Sequence, residues 1–310
     1  MYTIESFNDV SVCVVGAGAI GSMHVDNLLK LGVQKVFVVE VDKAKSRLPQ
    51  IGVEYKSDIS ELSGKGLDLA IIAVPTSLHS EIIGRLIKTY PRIRILCEKP
   101  LSFDLVSTQE ILQSVPDIKV GFVERFHRPF EKLVAWHGEC SARTDMKISR
   151  RTHKPKNGHW MLDKNQPGSD ILLDLGIHDI DFLMQMKKEL PIKISNHTIE
   201  PIKESFVLHF SDSSCALLES GWDLDENSPL GIENVINLRS NNSKAKYTSR
   251  NEELDIDGEV MTLKPRFMYS YTQELMDLLT KKSSESKFPS KEEIVLTMQC
   301  VELVRKDRNE

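Results

Sequence analysis

The segment LLDLGIHDIDFL, residues 172–183, places side chains that can move a proton within an apolar stripe. Asp174 and His178 are four positions apart, so on an α-helix they would share one face, one turn apart. A carboxylate beside an imidazole can orient the ring and raise its basicity. The spacing indicates a proton-transfer pair, although helix caps and surface pairs use the same arrangement. Asp179 and Asp181 are expected to be structural.

The glycines of VVGAGAIGSMH form a second chemical motif, G-x-G-x-x-G, between an apolar run and an amphipathic stretch. Gly16 permits a tight turn, Gly18 lets a pyrophosphate approach the backbone, and Gly21 lets a helix pack closely on a strand. The helix that starts at Ala19 and Ile20 would offer N–H groups and a positive dipole end to the phosphates. The motif predicts a dinucleotide site; the alternative is a tight glycine turn without a ligand.

Glu40 ends the second apolar run, 19 residues after Gly21. A carboxylate at this position accepts hydrogen bonds from ribose hydroxyls and repels a 2′-phosphate, so it favours NAD over NADP. Lys43, Lys45 and Arg47 follow closely and could weaken that discrimination. The sequence therefore predicts NAD as the cofactor, with NADP as the less favoured choice.

Polar and turn residues follow two further apolar runs, in AVPTSLH (73–79) and CEKPL (97–101). In an open parallel sheet, ligands bind beyond the carboxyl ends of the strands. We therefore expect the following residues at the cofactor: Val74, Pro75, His79, Glu98 and Lys99. For a single lysine, a solvated surface charge is the alternative.

Short apolar runs alternate with amphipathic stretches over residues 1–122, which predicts a Rossmann dinucleotide-binding domain with a parallel sheet covered on both faces. The predicted strands are 10–16, 35–42, 67–75, 92–100 and 118–122. The predicted helices are 19–32, 77–90 and 107–115.

Residues 123–310 have a different pattern, with closely spaced strands separated by turn residues, and we expect an α+β domain with a large, mostly antiparallel open sheet. The predicted strands are 146–153, 205–211, 214–222, 234–240, 244–249 and 253–258. The predicted helices are 172–186, 269–282 and 291–306. The fold class is thus α/β, with two domains.

The composition excludes several classes of protein. A net charge of −5 over 310 residues argues against a nucleic-acid or anionic-membrane partner held by bulk electrostatics. The five cysteines are scattered and form no C-x-x-C pair, which argues against a disulfide framework or a zinc site and fits the reducing cytoplasm. No apolar run reaches the roughly 18–20 residues of a membrane span. We therefore expect a cytoplasmic protein with a small-molecule substrate.

The order GAGAIG, AVPTSLH, CEKP, VGFVERFHRP and LLDLGIHDID resembles the Gfo/Idh/MocA family of nicotinamide-dependent oxidoreductases, and the resemblance continues to about residue 186. It implies that Lys99, Asp174 and His178 surround the reacting carbon. His178 would be the general base, Asp174 would orient its ring, and Lys99 would stabilise the developing alkoxide.

The resemblance also implies a substrate class, the oxidation or re-formation of a secondary alcohol on a sugar, nucleotide-sugar or cyclitol. The expected substrate residues are Arg125, His127 and Trp160, and no metal is expected. His127 stands where relatives often carry asparagine, so the substrate itself stays open. Two alternatives are an NADPH-dependent ketosugar reductase and a catalytically silent NAD-sensing protein. The open sheet needs cover for an apolar face, and relatives imply a homodimer or homotetramer.

Overall fold

The structure, a computed structural model, divides by its contacts into two compact units. It describes residues 7, 9–42, 52–140, 143–156, 159–163, 165–166, 168–263, 268–280 and 285–308. The first unit is Met1–Phe122 with Tyr271–Phe288, and the second is Val123–Ser270 with Pro289–Glu310. The predicted second domain is continuous over 123–310, whereas the structure groups the segment 271–288 with the first unit.

Side-chain contacts explain this grouping. The Thr272 hydroxyl donates a hydrogen bond to Asn27 at 3.0 Å, and Tyr271 packs edge-on against the ring of His24. Sequence periodicity identifies the helix that carries these residues but contains no information about the partner on which it packs.

The first unit contains a six-stranded sheet in which all neighbouring strands are parallel. Its strands are β1 Ser11–Val15, β2 Lys35–Val39, β3 Glu54–Lys56, β4 Leu69–Ile72, β5 Arg94–Glu98 and β6 Ile118–Gly121. Its first helices are α1 Ala19–Lys30, α2 His79–Thr89 and α3 Leu105–Ser114. The strand order β3-β2-β1-β4-β5-β6 is that of a Rossmann fold and confirms the predicted fold of this part of the chain.

The burial of the strands explains their composition. β1 and β4 are buried along their whole length, which requires the continuous apolar runs seen in the sequence. The strand order reverses between β1 and β4, because the chain runs outward from β1 to β3 and then returns to place β4 on the other side of β1. Ligands of open α/β sheets bind at the carboxyl ends of the strands near such a reversal. The glycine motif follows β1, so the fold places it at that position.

The second unit contains an eight-stranded sheet in the order β14-β13-β12-β11-β7-β10-β9-β8. Its strands are β7 Thr144–Thr152, β8 Lys193–Glu200, β9 Lys203–His209, β10 Cys215–Gly221, β11 Ile232–Ser240, β12 Lys244–Thr248, β13 Glu253–Ile256 and β14 Glu259–Thr262. Its helices are α4 Arg128–Glu139, α5 Ile177–Lys187 and α7 Lys291–Asp307. Helix α6, Met268–Thr280, lies mostly in the first unit. Only the β7–β10 pair is parallel among these strands, which confirms the mostly antiparallel sheet.

Helix α5 is the central helix of the second unit. It packs against α4 and α7, and nine of its eleven residues are buried. Asp179 and Asp181 are therefore buried carboxylates, and each needs a charged or hydrogen-bonding partner. Arg150 and Arg125 supply those partners. The expectation that both aspartates are structural agrees with these contacts.

The chain immediately before α5 is not a regular α-helix. Leu172–Gly176 is π-helical, and the N–H of Ile177 reaches back to the carbonyl of Leu172. The predicted single helix 172–186 is therefore wrong in its first turn, because a π turn inserts one extra residue. Such turns are frequent at functional sites. The four-residue spacing of Asp174 and His178 consequently does not have the geometry of an α-helix.

No helix in the described part of the chain combines the length and the apolar character needed to cross a bilayer.

Candidate functional site

The glycine loop after β1 has two positions that only glycine can fill. Gly16 has a φ of +96°, and a Cβ there would lie 2.5 Å from the carbonyl oxygen of Ala73. A Cβ on Gly21 would lie 1.9 Å from the carbonyl oxygen of Gly16. Helix α1 thus approaches the end of β1 more closely than any side chain permits. At Gly18, by contrast, a Cβ would meet nothing within 4 Å, which leaves open space beside the start of α1.

We expect the substitution Gly21→Ala to destabilise the protein. Alanine is favoured over glycine in a helix by roughly 0.5–1 kcal/mol, but the overlap with a backbone oxygen cannot be relieved by a rotamer change and costs about 1–3 kcal/mol or more. The net result is a lower melting temperature, measurable by circular dichroism. Gly18→Ala is the matched control and should melt near the wild type. An unchanged melting temperature for Gly21→Ala would contradict this packing.

Glu40 is held beside the glycine loop. Its Oε2 accepts a hydrogen bond from the N–H of Ala17 at 2.8 Å, and its Oε1 accepts one from the N–H of Asp42 at 3.0 Å. The carboxylate is half-buried and fixed at the carboxyl end of β2. It is therefore a preorganised acceptor for hydroxyl groups of a ligand that lies along the loop. Lys43, Lys45 and Arg47 lie outside the described residues.

His79 links two loops at the carboxyl edge of the sheet. Its Nε2 lies 3.0 Å from the carbonyl oxygen of Val74, and its Nδ1 lies 2.9 Å from that of Pro100. Burial lowers the pKa of His79 despite these carbonyls, so the ring is neutral and donates to one of them. The ring is buried and contacts both carbonyl oxygens, and its predicted role at the cofactor stays a prediction. The ring holds the loops that carry Pro75 and Lys99.

Glu98 ends β5 as a buried carboxylate. Its Oε1 lies 2.7 Å from Nε2 of His24, which is fully buried on α1. Glu274 of α6 lies close by, and a Cβ on Gly121 would come within 3.4 Å of oxygens of both carboxylates. The ligand-type atoms of His24, Glu98 and Glu274 lie within 4.8 Å of one another, so this group could hold a cation. The absence of a metal site stays a prediction.

Lys99 directly follows β5 and is half-buried. The preceding Glu98 and the following Pro100 are both held, by His24 and His79 respectively. The backbone that carries the ammonium is therefore fixed on either side. A preorganised cation at the carboxyl edge of a parallel sheet can donate to an oxygen atom that gains negative charge.

In the second unit, His178 contacts a buried carboxylate that the sequence analysis does not identify. Its Nδ1 lies 2.6 Å from Oε2 of Glu124, in the 3₁₀ turn Val123–Phe126. The other Glu124 oxygen accepts a hydrogen bond from Arg150 at 2.6 Å, and Arg150 also donates to Oδ1 of Asp179 at 2.8 and 3.0 Å. We call Asp179, Arg150, Glu124 and His178 the buried charge network.

Charges determine the protonation of this network. Burial raises the pKa of Glu124, but the charges of His178 and Arg150 outweigh burial and hold that pKa below its usual range. Burial alone would lower the pKa of Arg150. The charges of Asp179 and Glu124 outweigh this effect of burial and raise the pKa of the guanidinium. Glu124 is therefore an anion and Arg150 a cation at neutral pH.

Asp174 has a different partner from the one expected. Its Oδ2 accepts a hydrogen bond from Nε1 of Trp222 at 2.8 Å, and Trp222 packs against Ile171 and Leu175. The carboxylate at Nδ1 of His178 is Glu124. The π turn and the tryptophan set the direction of the Asp174 side chain, which is half-buried. The orienting role predicted for Asp174 stays a prediction.

Two of the predicted substrate residues contact other side chains of the protein. The guanidinium of Arg125 donates to both oxygens of Asp181 at 2.8 and 2.9 Å and to Glu293 at 3.2 Å. His127 is 2% exposed, and its Nε2 lies 3.4 Å from Glu252. The ERFH run forms a buried turn, and the substrate role of Arg125 and His127 stays a prediction. Trp160 is half-buried in the 3₁₀ turn Trp160–Leu162 and stays a candidate.

Comparisons with known proteins match this arrangement of motifs. Residues 10–122 match the Gfo/Idh/MocA oxidoreductase family, described as having an NAD-binding Rossmann fold. An uncharacterised oxidoreductase, YrbE of Bacillus subtilis, is 30% identical over 179 residues, which cover 54% of this chain and 51% of YrbE. Myo-inositol 2-dehydrogenase of Thermotoga maritima is 28% identical over 179 residues, covering 54% and 52%. The matches thus span about half the length of these curated relatives.

Solved structures extend the likeness over both units. An oxidoreductase from Agrobacterium radiobacter, in complex with NAD⁺, L-tartaric acid and magnesium, superposes with a TM-score of 0.80 over 97% of this chain and 96% of its own. Its sequence identity is 15%, so this likeness concerns the fold. Three observations indicate the same Rossmann fold: the family match over residues 10–122, the strand order of the first sheet, and the glycine loop after β1. Residues 10–122 are therefore similar to the NAD-binding Rossmann part of the Gfo/Idh/MocA oxidoreductases.

Proposed function

We propose that this protein is an NAD-dependent dehydrogenase that oxidises a secondary alcohol of a cyclitol or sugar, or reduces the corresponding ketone. The observation that carries the proposal is the glycine loop, with Glu40 fixed at Ala17. The open space at Gly18 and the start of α1 suit a pyrophosphate, and Glu40 suits ribose hydroxyls. NAD, when bound, supplies the hydride acceptor or donor. Val74, Pro75, Ala19 and Ile20 are proposed to line its site.

The protein's own residues are proposed to handle the proton and the charge. His178 accepts the hydroxyl proton as general base, and Lys99 donates a hydrogen bond to the same oxygen as negative charge develops. Asp174, with one carboxylate oxygen on Trp222, directs the other toward the substrate. Trp160 is proposed to line the substrate pocket.

The substrate class rests on the relatives. The myo-inositol 2-dehydrogenase of Thermotoga maritima and the inositol 2-dehydrogenase of Arthrobacter sp. (strain FB24) are 28% and 35% identical over 179 and 134 residues. These identities favour a cyclitol over a nucleotide-linked sugar. The structural neighbours that are named for a UDP-sugar or bound to one are 16–17% identical and support the fold alone.

Absorbance in the NADH band tests this proposal. The purified chain is mixed with NAD and, separately, with inositols, free polyols and sugars, and UDP-sugars; a second series offers NADPH and ketosugars. The proposal expects NADH from a member of the NAD series. Turnover confined to NADPH and ketosugars would favour a reductase instead. NAD binding with no turnover in either series would favour a silent NAD-sensing protein.

The cofactor preference gives a second test. Because Glu40 offers a fixed acceptor and a negative charge, NAD should bind more tightly than NADP. Glu40→Gln keeps the size of the side chain and removes the repulsion, so it should narrow the gap by about tenfold or more, the effect of roughly 1.4 kcal/mol. Isothermal titration of both cofactors measures it, with the exposed Glu54→Gln as control. A wild-type preference for NADP would contradict the role of Glu40.

The proposal includes a cytoplasmic location and a homodimer or homotetramer. All five cysteines are free thiols, which suits a reducing compartment. The outer face of the second sheet carries half-buried apolar side chains at Val207, Leu217 and Val235, of which the first two are cross-strand neighbours. A second copy of the chain would cover such a face.

A further inference from the structure

The carboxylate that faces His178 lies on a different segment from the histidine. Nδ1 of His178 lies 2.6 Å from Oε2 of Glu124, and the exposed fraction of Glu124 is 3%. Its other oxygen is held at 2.6 Å by Nη1 of Arg150, which is 1% exposed. Glu124 therefore cannot turn away from the ring without breaking a buried ion pair. The position of the imidazole is set by a carboxylate that is itself immobilised.

Arg150 ties the buried charge network together. Its guanidinium faces two carboxylates, those of Glu124 and Asp179. All three side chains are buried, so removing one of them would leave a buried charge without its partner, which is costly. Glu124 is therefore kept in place beside His178.

The same contact sets the tautomer of the neutral ring. The angles of this contact lie outside those of a regular hydrogen bond, but at 2.6 Å a carboxylate oxygen would repel the lone pair of an unprotonated ring nitrogen. The nitrogen that faces Glu124 therefore carries the proton. Nδ1 is then the donor, and Nε2 is the nitrogen that accepts a proton. A general base needs its accepting nitrogen to be defined in this way.

The other charged and titratable groups around the network do not replace Glu124. Asp174, in the π-helical segment, accepts from Trp222, and Asp179 is engaged by two donors of Arg150. Tyr247 of β12 donates to Glu252 at 3.0 Å, and burial, followed by the charge of Glu252, raises the pKa of that phenol. Glu124 places a carboxylate oxygen 2.6 Å from Nδ1 of His178.

We propose that Glu124 is the positioning residue of His178, with Arg150 holding it in place, so that Glu124 fixes the orientation of the ring and its Nδ1–H tautomer. The inference rests on the proposed function for its catalytic consequence, since it gives His178 the form that a general base requires. The geometry it describes can be tested without a substrate.

The test is the substitution Glu124→Gln, read first by ¹⁵N chemical shifts of the His178 ring. Arg150 must find an acceptor, so the amide oxygen should face Arg150 and the amide NH₂ should face Nδ1. A donor at that position forces the proton onto Nε2. We expect the Nδ1–H tautomer in the wild type, the Nε2–H tautomer in Glu124→Gln, and the wild-type tautomer in Glu124→Asp. Glu252→Gln, which removes another buried carboxylate beside a histidine, should leave His178 unchanged.

Turnover gives the second readout. A base held in the wrong tautomer by an isosteric amide costs up to about 10⁴-fold in kcat in a comparable dyad, and we expect a loss of roughly 10²–10⁴-fold here. Glu124→Asp should recover part of that loss.

The outcomes separate the inference from the proposed function. An Nε2–H tautomer in the wild type, or an unchanged tautomer in a folded Glu124→Gln, overturns the inference. A tautomer that changes as expected with unchanged turnover supports the positioning role of Glu124 and contradicts His178 as the base. The wild-type measurement decides the matter even where Glu124→Gln does not fold.

Discussion

Replacing His178 by alanine should lower turnover by roughly 10²–10⁴-fold, the usual effect of losing a general base. NAD affinity should stay close to that of the wild type, because His178 lies in the second unit and the glycine loop in the first. Steady-state NADH formation measures the first quantity and isothermal titration the second. The large loss follows because the alcohol must release its proton as the hydride leaves.

His137→Ala is the control for this substitution. His137 is half-buried on α4 and lies outside the buried charge network. It should retain near-normal turnover. Wild-type turnover in His178→Ala would place the base elsewhere and would contradict the assignment of the GIHDID segment.

Lys99→Met should leave a folded, NAD-binding protein with turnover lowered by about 10²–10³-fold, the typical cost of one preorganised donor to a developing oxyanion. Methionine keeps much of the chain length and removes the charge. Arginine should rescue poorly, because its planar fork does not place a donor where a lysine ammonium does. Turnover and calorimetric NAD binding are measured on the same preparation.

Lys119→Met provides the matched control. Lys119 is a half-buried lysine on β6, the strand next to the one that Lys99 follows. The Lys119→Met variant should have the same turnover rate as the wild type. Near-normal turnover in Lys99→Met would show that Lys99 is a surface charge only.

The Rossmann unit could be predicted from the sequence because its signals are local. Strands buried on both faces require continuous apolar runs, and the close approach of Gly21 to Gly16 requires glycine whatever lies around it. β3 was missed because Glu54–Lys56 is a short edge strand without an apolar run. In the second unit α4 was missed, although Phe130, Leu133 and Trp136 recur at helical spacing and Pro129 suits a first turn.

The edge strands β8 and β14 were missed for a different reason. Most of their residues are exposed or half-buried, and so apolar alternation is weak there. Edge strands take their conformation from the neighbouring strand more than from their own sequence. Local pattern therefore predicts the middle of this sheet better than its margins.

The candidate site was predictable in its residue types but not in its pairings. Spacing on a helix paired Asp174 with His178, whereas a π turn and Trp222 direct Asp174 and a separate segment supplies Glu124. One signal was present in the sequence. In β7, Met146, Ile148 and Arg150 alternate onto the buried face, and an arginine at such a position requires buried carboxylate partners. Which carboxylates these are depends on tertiary packing.

Isotope transfer tests the central claim most directly. The purified chain is incubated with NAD and pooled inositols, free sugars and UDP-sugars that carry deuterium on their ring carbons, and the cofactor is analysed by mass spectrometry. The account predicts reduced cofactor that carries one deuterium, because the hydride moves directly from the carbinol carbon to the nicotinamide. NAD that binds to the protein yet stays unreduced with every pool, or reduced cofactor without deuterium, would contradict it.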